Sequence, residues 1–398
     1  MKVSSASSKL LSLILGVGFS VIANAVFPTV VSAGPSLTQA GKQSYEAGRY
    51  AQAAEYLEAA GEPFGNQVSE EAALIWGNLS LVYQKLGRWP DAETAIAKGQ
   101  AQLPRGSSLA QAQLDDIEGQ LNWQRGRSQQ ALTAWNRSAK IYEAAEAELP
   151  WIRNRLNAAQ VKQSLGLYRQ SQRTLQAARE RLEAQPDSTL KNEVAWRLGN
   201  SLRLIGDFSA AIATFETLLA TAAPALIPDI YLALGRTEIA QGETSSALQH
   251  YQQGLAVTSL TPEQSRRLQL AQLAALVEQN PAQATQQYQS LTRSLADLAP
   301  SRETLYMRLA LAEYGLQLEP SNTRELANLV AIAKQEADLL QDPRGQSLAL
   351  GTLSKIYAST NQTAIALDLA QQALLLAETL EATDLAYRWH WQLGQLYR

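Results

Sequence analysis

Two histidines, His250 and His390, are the only imidazoles in the 398 residues, and there is no cysteine. Without thiols the chain has no thiolate nucleophile, no disulfide and no cysteine-based zinc site. The histidines stand 140 residues apart, and neither is set in a Gly-x-Ser-x-Gly elbow or a His-Glu-x-x-His helix. No Walker loop, EF-hand loop or Gly-x-Gly-x-x-Gly fingerprint occurs. Two acid pairs remain, Glu70-Glu71 and Asp115-Asp116. Paired carboxylates can divide acid and base roles only when they face one site, and adjacent helical residues point about 100° apart. Both pairs are expected near helix starts, where negative charge meets the positive end of the helix dipole. The inventory predicts a non-enzyme with no catalytic residue, metal ligand or cofactor contact.

One polar cluster has a spacing suited to a ligand. Arg197, Asn200 and Arg203 are three apart and so share one helical face. Asn157 and Gln160 precede them, and Arg236 follows. Arginine forks pair with carboxylates through two parallel hydrogen bonds, which makes Asn200, Arg203 and Arg236 candidates for holding an acidic group. The same residues also suit a solvated helix face. The eight tryptophans, at 76, 89, 123, 135, 151, 196, 389 and 391, fall mostly at packing positions and are expected in the core.

Composition narrows the class further. An apolar fraction of 46% excludes a disordered polymer. Thirty-four Lys and Arg against 37 Asp and Glu leave a net charge of −3, and the first 33 residues contribute Lys2 and Lys9 but no acid. A mildly acidic protein has no net field that draws it to nucleic acid or an anionic membrane. Those first residues read as an export segment. The apolar stretch Leu10–Ala23 follows Lys2 and Lys9, and small-residue cleavage triplets end at Ala25 and Ala33. Pro28 upstream and Gly34-Pro35 downstream favour cleavage after Ala33, giving an exported, periplasmic or extracellular protein with no membrane span. Fourteen residues rising 1.5 Å each reach about 21 Å, short of a hydrocarbon core of about 30 Å.

The elements that position these residues repeat. Gly48, Gly87, Gly126, Gly166, Gly206 and Gly242 recur at intervals of 36 to 40 residues, each between an apolar helix and an alanine-rich one. The fullest copy is Trp76, Leu79, Ser80, Tyr83, Gly87, Trp89, Ala92, Ile96, Gly99 and Pro104. Others carry Leu198-Gly199, Leu202, Phe208, Ala211 and Phe215, then Tyr231, Leu234-Gly235, Ala247 and Tyr251. A further copy at Leu350–Ala373 puts Asn361 at the turn, a residue that tolerates the left-handed conformation. The copies around Gly126, Gly166 and residues 268–291 are weaker, and segment 301–337 is the least regular. This pattern resembles the tetratricopeptide repeat, with helices lengthened by about a turn beyond its usual period of about 34 residues. The resemblance implies an all-α fold, a right-handed superhelix of about eight or nine helix pairs over residues 36–398 that ends in an unpaired helix. Residues 36–258 form the N-terminal repeats, 259–342 degenerate ones and 343–398 the C-terminal repeats, which end mid-repeat.

Residues 343–398 also resemble the repeats that precede the caspase-like CHAT domain of bacterial proteins, with PRGQSLALGTLSKIY, ALDLAQQALLLAETL and ATDLAYRWHWQLGQLYR. The His-Cys pair of that peptidase has no counterpart in a cysteine-free chain, so the resemblance carries only its partner-recruiting array. Tetratricopeptide arrays bind peptides along the concave face of their first helices, and some capture a C-terminal carboxylate with Lys, Arg and Asn. The resemblance therefore implies an interaction scaffold with a protein or peptide partner, at Asn157, Gln160, Arg197, Asn200, Arg203 and Arg236. The lysines of that clamp are missing here. The alternative is the recognition arm of a CHAT-type peptidase whose catalytic domain is absent from this chain. Trp391, Leu393, Leu396 and Tyr397 are expected to lack a partner helix and to offer a surface for self-association.

Overall fold

The computed structural model describes residues 37–398 apart from 107, 184–187 and 381. The expected export segment, residues 1–33, lies outside them. Nineteen α-helices and two short 3-10 turns make up the described elements, and no strand occurs among them. They fall into two compact units, one ending at Thr221 and the other Ala222–Arg398.

The first unit holds five helical hairpins. They are α1 (Leu37–Glu46) with α2 (Tyr50–Gly61), α3 (Glu70–Lys85) with α4 (Trp89–Gln102), and α5 (Ser108–Gln124) with α6 (Ser128–Ala144). Then come α7 (Glu148–Ser164) with α8 (Tyr168–Leu182), and α9 (Ser188–Ile205) with α10 (Phe208–Leu219). The second unit holds four hairpins and one unpaired helix. These are α11 (Ile227–Gln241) with α12 (Thr244–Leu255), α13 (Pro262–Gln279) with α14 (Pro281–Ser294), α15 (Arg302–Leu318) with α16 (Thr323–Leu339), α17 (Pro343–Ser359) with α18 (Thr363–Thr379), and α19 (Thr383–Leu396).

Local chemistry sets the boundaries. All six repeat glycines have positive φ, between 70° and 95°, and Asn361 takes the same turn at 59°. The reversal is closed by the backbone: Arg88 N–H donates to Tyr83 O at 2.9 Å and Gly87 N–H to Gln84 O at 3.3 Å, a Schellman-type stop. Glu146 and Gln341 adopt positive φ of 53° and 49° in turns between hairpins, where no glycine marks them. Helix starts are capped by Ser69, Asp207, Asn280 and Asp342, and by capping boxes at Thr261/Gln264 and Ser301/Thr304. Pro228, Pro262, Pro281 and Pro343 sit in first turns, where a missing N–H costs nothing.

Within a hairpin the helices close on a small residue. A Cβ at Gly199 would meet the Phe215 ring at 2.6 Å, and one at Gly119 would meet the Trp135 indole at 2.6 Å. Where serine stands instead, its hydroxyl spans the gap: Ser80 Oγ donates to Ala92 O at 2.9 Å and Ser354 Oγ to Ala366 O at 2.6 Å. Phe215, Tyr251, Trp135 and Trp389 are fully buried, each burial worth about 1.5–3 kcal/mol. Trp391 is 57% exposed, as expected for a side chain without a partner helix. The irregular segment 301–337 forms an ordinary hairpin in which Leu326, Val330 and Ala333 are buried. Its small residue is Gly315, against Tyr288 and Leu326.

Candidate partner-binding face

Within each unit, first helices of neighbouring hairpins touch. In the first unit α3 meets α5 and α7 meets α9; in the second, α11, α13, α15, α17 and α19 meet in series. Second helices reach the next hairpin through its first helix, as α6 does on α7 and α16 on α17. Polar side chains of first helices that are not used up in such contacts mark where a partner can be read.

Asn157 and Gln160 lie on α7, and Arg197, Asn200 and Arg203 on α9. Arg197 is buried; it donates from Nη1 to Leu156 O at 3.2 Å and Gln160 Oε1 at 3.3 Å, and from Nη2 to Glu193 Oε1 at 2.7 Å. Burial pulls its pKa down, against the opposing pull of Glu193. It therefore bridges α7 and α9 and has little left for a ligand. Asn200 Nδ2 donates to Trp196 O at 2.9 Å on its own helix. Arg203 and Asn157 are buried, and Asn157 Oδ1 accepts no hydrogen bond. Arg236 belongs to the second unit, on α11. Burial lowers its pKa, and Tyr251, Arg267, Asp229 and Tyr314 are the groups that act on it.

The acid pairs part company. Glu70 and Glu71 occupy the first turn of α3, as expected. Asp115 and Asp116 lie in the middle of α5, which corrects their assignment to a helix start. Asp115 pairs with Arg137 at 2.9 Å. Asp116 Oδ1 accepts from Ser138 Oγ at 2.9 Å and Asn154 Nδ2 at 2.5 Å, and Oδ2 accepts from Tyr142 Oη at 2.9 Å. Burial pushes its pKa up to about 6, against the pull of those donors and of Arg155. One carboxylate thus ties α5 to both α6 and α7, a link sequence reasoning missed because its donors stand 22 to 38 residues away.

His250 Nδ1 lies 2.8 Å from Glu238 Oε2 and its ring stacks on Tyr231, while exposed His390 lies 3.6 Å from Glu378. Among the described residues no group of His, Asp and Glu is arranged to hold a metal ion, and no helix is long and apolar enough to cross a membrane. Of the four C-terminal side chains expected to lack a partner, Trp391 and Tyr397 are 57% and 67% exposed. Leu393 is buried at 8% exposure and Leu396 half-buried, because both turn back toward the preceding hairpin. Exposed Tyr387 joins the open face instead.

No family model and no curated protein sequence matches the chain. Solved structures do. The apo form of the quorum sensor NprR from B. thuringiensis superposes with a TM-score of 0.56 at 11% identity, over 91% of this chain and 98% of that one. A Rap protein complexed with competence and sporulation factor gives 0.51 at 12%, over 91% and 96%. Apo RapI gives 0.52 at 12%, over 67% and 98%. At such identities the likeness concerns the fold: this is an all-α helical-repeat protein of the tetratricopeptide type.

Proposed function

We propose that the protein is a non-catalytic interaction scaffold that holds a peptide or protein segment against the inner face of α7 and α9. The observation that carries this reading is Asn157. Its Oδ1 is buried without a donor, and it sits one residue from Leu156, whose carbonyl Arg197 already holds. An acceptor buried and unmet costs about 1–3 kcal/mol, which a peptide N–H would recover. Arg203 on α9 supplies positive charge for an acidic group. That a structurally similar Rap protein is complexed with competence and sporulation factor supports the reading. Peptides selected from a random display library on residues 34–398 test it by calorimetry. Affinity is expected to fall about tenfold in Asn157→Ala and in Arg203→Ala. Unchanged affinity in both, or no enrichment at all, refutes it.

Export with cleavage after Ala33 is part of the proposal, resting on the Leu10–Ala23 stretch and its flanks; the mature N-terminus is expected at Gly34 by terminal sequencing. The likeness of residues 343–398 to CHAT-associated repeats supports a second reading, a recognition arm for a caspase-like domain. An open reading frame downstream of Arg398 encoding His and Cys would favour it. Self-association through Tyr387, Trp391 and Tyr397 is supported by their exposure. Light scattering should show mass rising with concentration, and a strict monomer ends that part of the proposal.

A further inference from the structure

A second polar site lies on the first helices of the second unit, on residues apart from those named above. Glu313 of α15, Thr352 and Lys355 of α17 and Arg388 of α19 meet there. Lys355 Nζ donates to Glu313 Oε1 at 2.9 Å, Thr352 Oγ1 approaches the same oxygen at 3.5 Å, and Arg388 Nη2 donates to it as well. Three donors thus converge on one carboxylate oxygen. Two positively charged side chains share one carboxylate oxygen. The Glu313 side chain is 9% exposed, that of Arg388 11% and that of Lys355 26%.

The pairing is incomplete. Arg388 uses one edge of its fork, and its Nη1 is buried with no hydrogen-bond partner. Its guanidinium also lies 5.0 Å from the Trp389 ring centroid, which holds it in place without neutralising it. Burial pushes the Lys355 pKa down, and Arg388 adds to this against the opposing pull of Glu313. Burial pushes the Glu313 carboxyl up, but Lys355 and Arg388 outweigh it and hold it below the usual carboxylate value. A buried cation with an unmet donor is costly to keep. Lys355, the most exposed member, forms the mouth.

We propose that Lys355 and Arg388 form an anion site that takes a carboxylate, with Glu313 as the built-in counter-charge that sets their positions and limits their affinity. The carboxylate comes either from an acidic residue of a bound polypeptide or from a small free acid. This site stands apart from the α7–α9 face, and either can fail without the other. The arrangement makes an unusual demand of Glu313. A residue with a purely structural role loses stability when neutralised and gains no ligand. Here neutralisation adds a unit of local positive charge and should strengthen binding.

The test uses the full chain and two probes at constant ionic strength: succinate, followed by thermal shift, and a fluorescent peptide rich in Asp, followed by anisotropy. An Asn-substituted peptide is the control. Lys355→Gln and Arg388→Gln are each expected to weaken binding about tenfold or more, and Glu313→Gln to tighten it about fivefold. If Arg388→Gln fails to fold by circular dichroism, Lys355→Gln and Glu313→Gln decide alone. Binding of the peptide without succinate identifies a polypeptide ligand, and binding of both a free acid as well. The proposal is overturned if Glu313→Gln fails to tighten binding, if Lys355→Gln binds like the wild type, or if neither probe binds the wild type at millimolar concentration.

Discussion

Asp116 shows how much of this molecule is decided by single side chains and how little of that a sequence shows. As one of two adjacent acids it looked like helix-start decoration, and nothing local contradicts that. Its meaning comes from Ser138, Tyr142 and Asn154, which approach it only once three first and second helices are stacked. Its folded pKa, about 6, stands above the ordinary 3.8. Between those values the folded chain keeps a proton that the unfolded chain has released, so this group's stabilising contribution falls as pH rises through that window and is constant above it. Denaturant titrations of the wild type and Asp116→Asn at pH 4 and pH 7 isolate the effect. The wild type should gain on the order of 2 kcal/mol over the variant on going to pH 4, from a shift of about two units. A difference independent of pH would mean the carboxylate is not held as drawn. The candidate site was read unevenly for the same reason. Arg197 was legible as a face residue, yet its partners Leu156 O and Gln160 use up its donors.

At the level of helices the sequence was far more readable, since the repeat needs a small residue exactly where two backbones approach and a left-handed residue where they reverse. Gly199 and Gly394 separate these demands. A methyl at Gly199 enters the Phe215 ring, whereas one at Gly394 meets nothing within 4 Å. Both glycines are inside helices, where alanine is intrinsically better by about 1 kcal/mol. Gly199→Ala should therefore cost about 1–3 kcal/mol net of that gain, and Gly394→Ala should stabilise by up to about 1 kcal/mol. Thermal melts of the two variants give opposite signs if α19 lacks an aromatic neighbour at this position; a loss at Gly394 would show that its face is covered in solution. Asn361 makes the complementary case at the turn. With φ of 59°, Asn361→Gly should be neutral or slightly stabilising and Asn361→Ala should cost about 1 kcal/mol. Glu146 and Gln341 take the same backbone region without a residue type that announces it, so those turns were invisible in the sequence.

On the scale of the whole chain, a repeat protein is stabilised by contacts between neighbours, and its cooperativity extends only as far as those contacts do. The repeat spacing predicts one run of hairpins over residues 36–398, with 259–342 set apart within it as degenerate repeats. The compact units divide at Thr221 and Ala222, between α10 and the 3-10 turn Pro224–Leu226 that precedes α11. No periodicity marks that position, because a glycine turn at Gly206 and another at Gly242 continue the count across it. Internally, Ala222–Arg398 has what independent folding requires: an unbroken series of touching first helices from α11 to α19, and a core running from Leu270 to Trp389. Expressed alone, this segment should give a helical circular dichroism spectrum and a cooperative urea transition, and the intact chain should unfold in more than one step. A single sharp transition in the full chain, together with an unfolded Ala222–Arg398 fragment, would show that stability is shared across position 221 and that the division is one of geometry only.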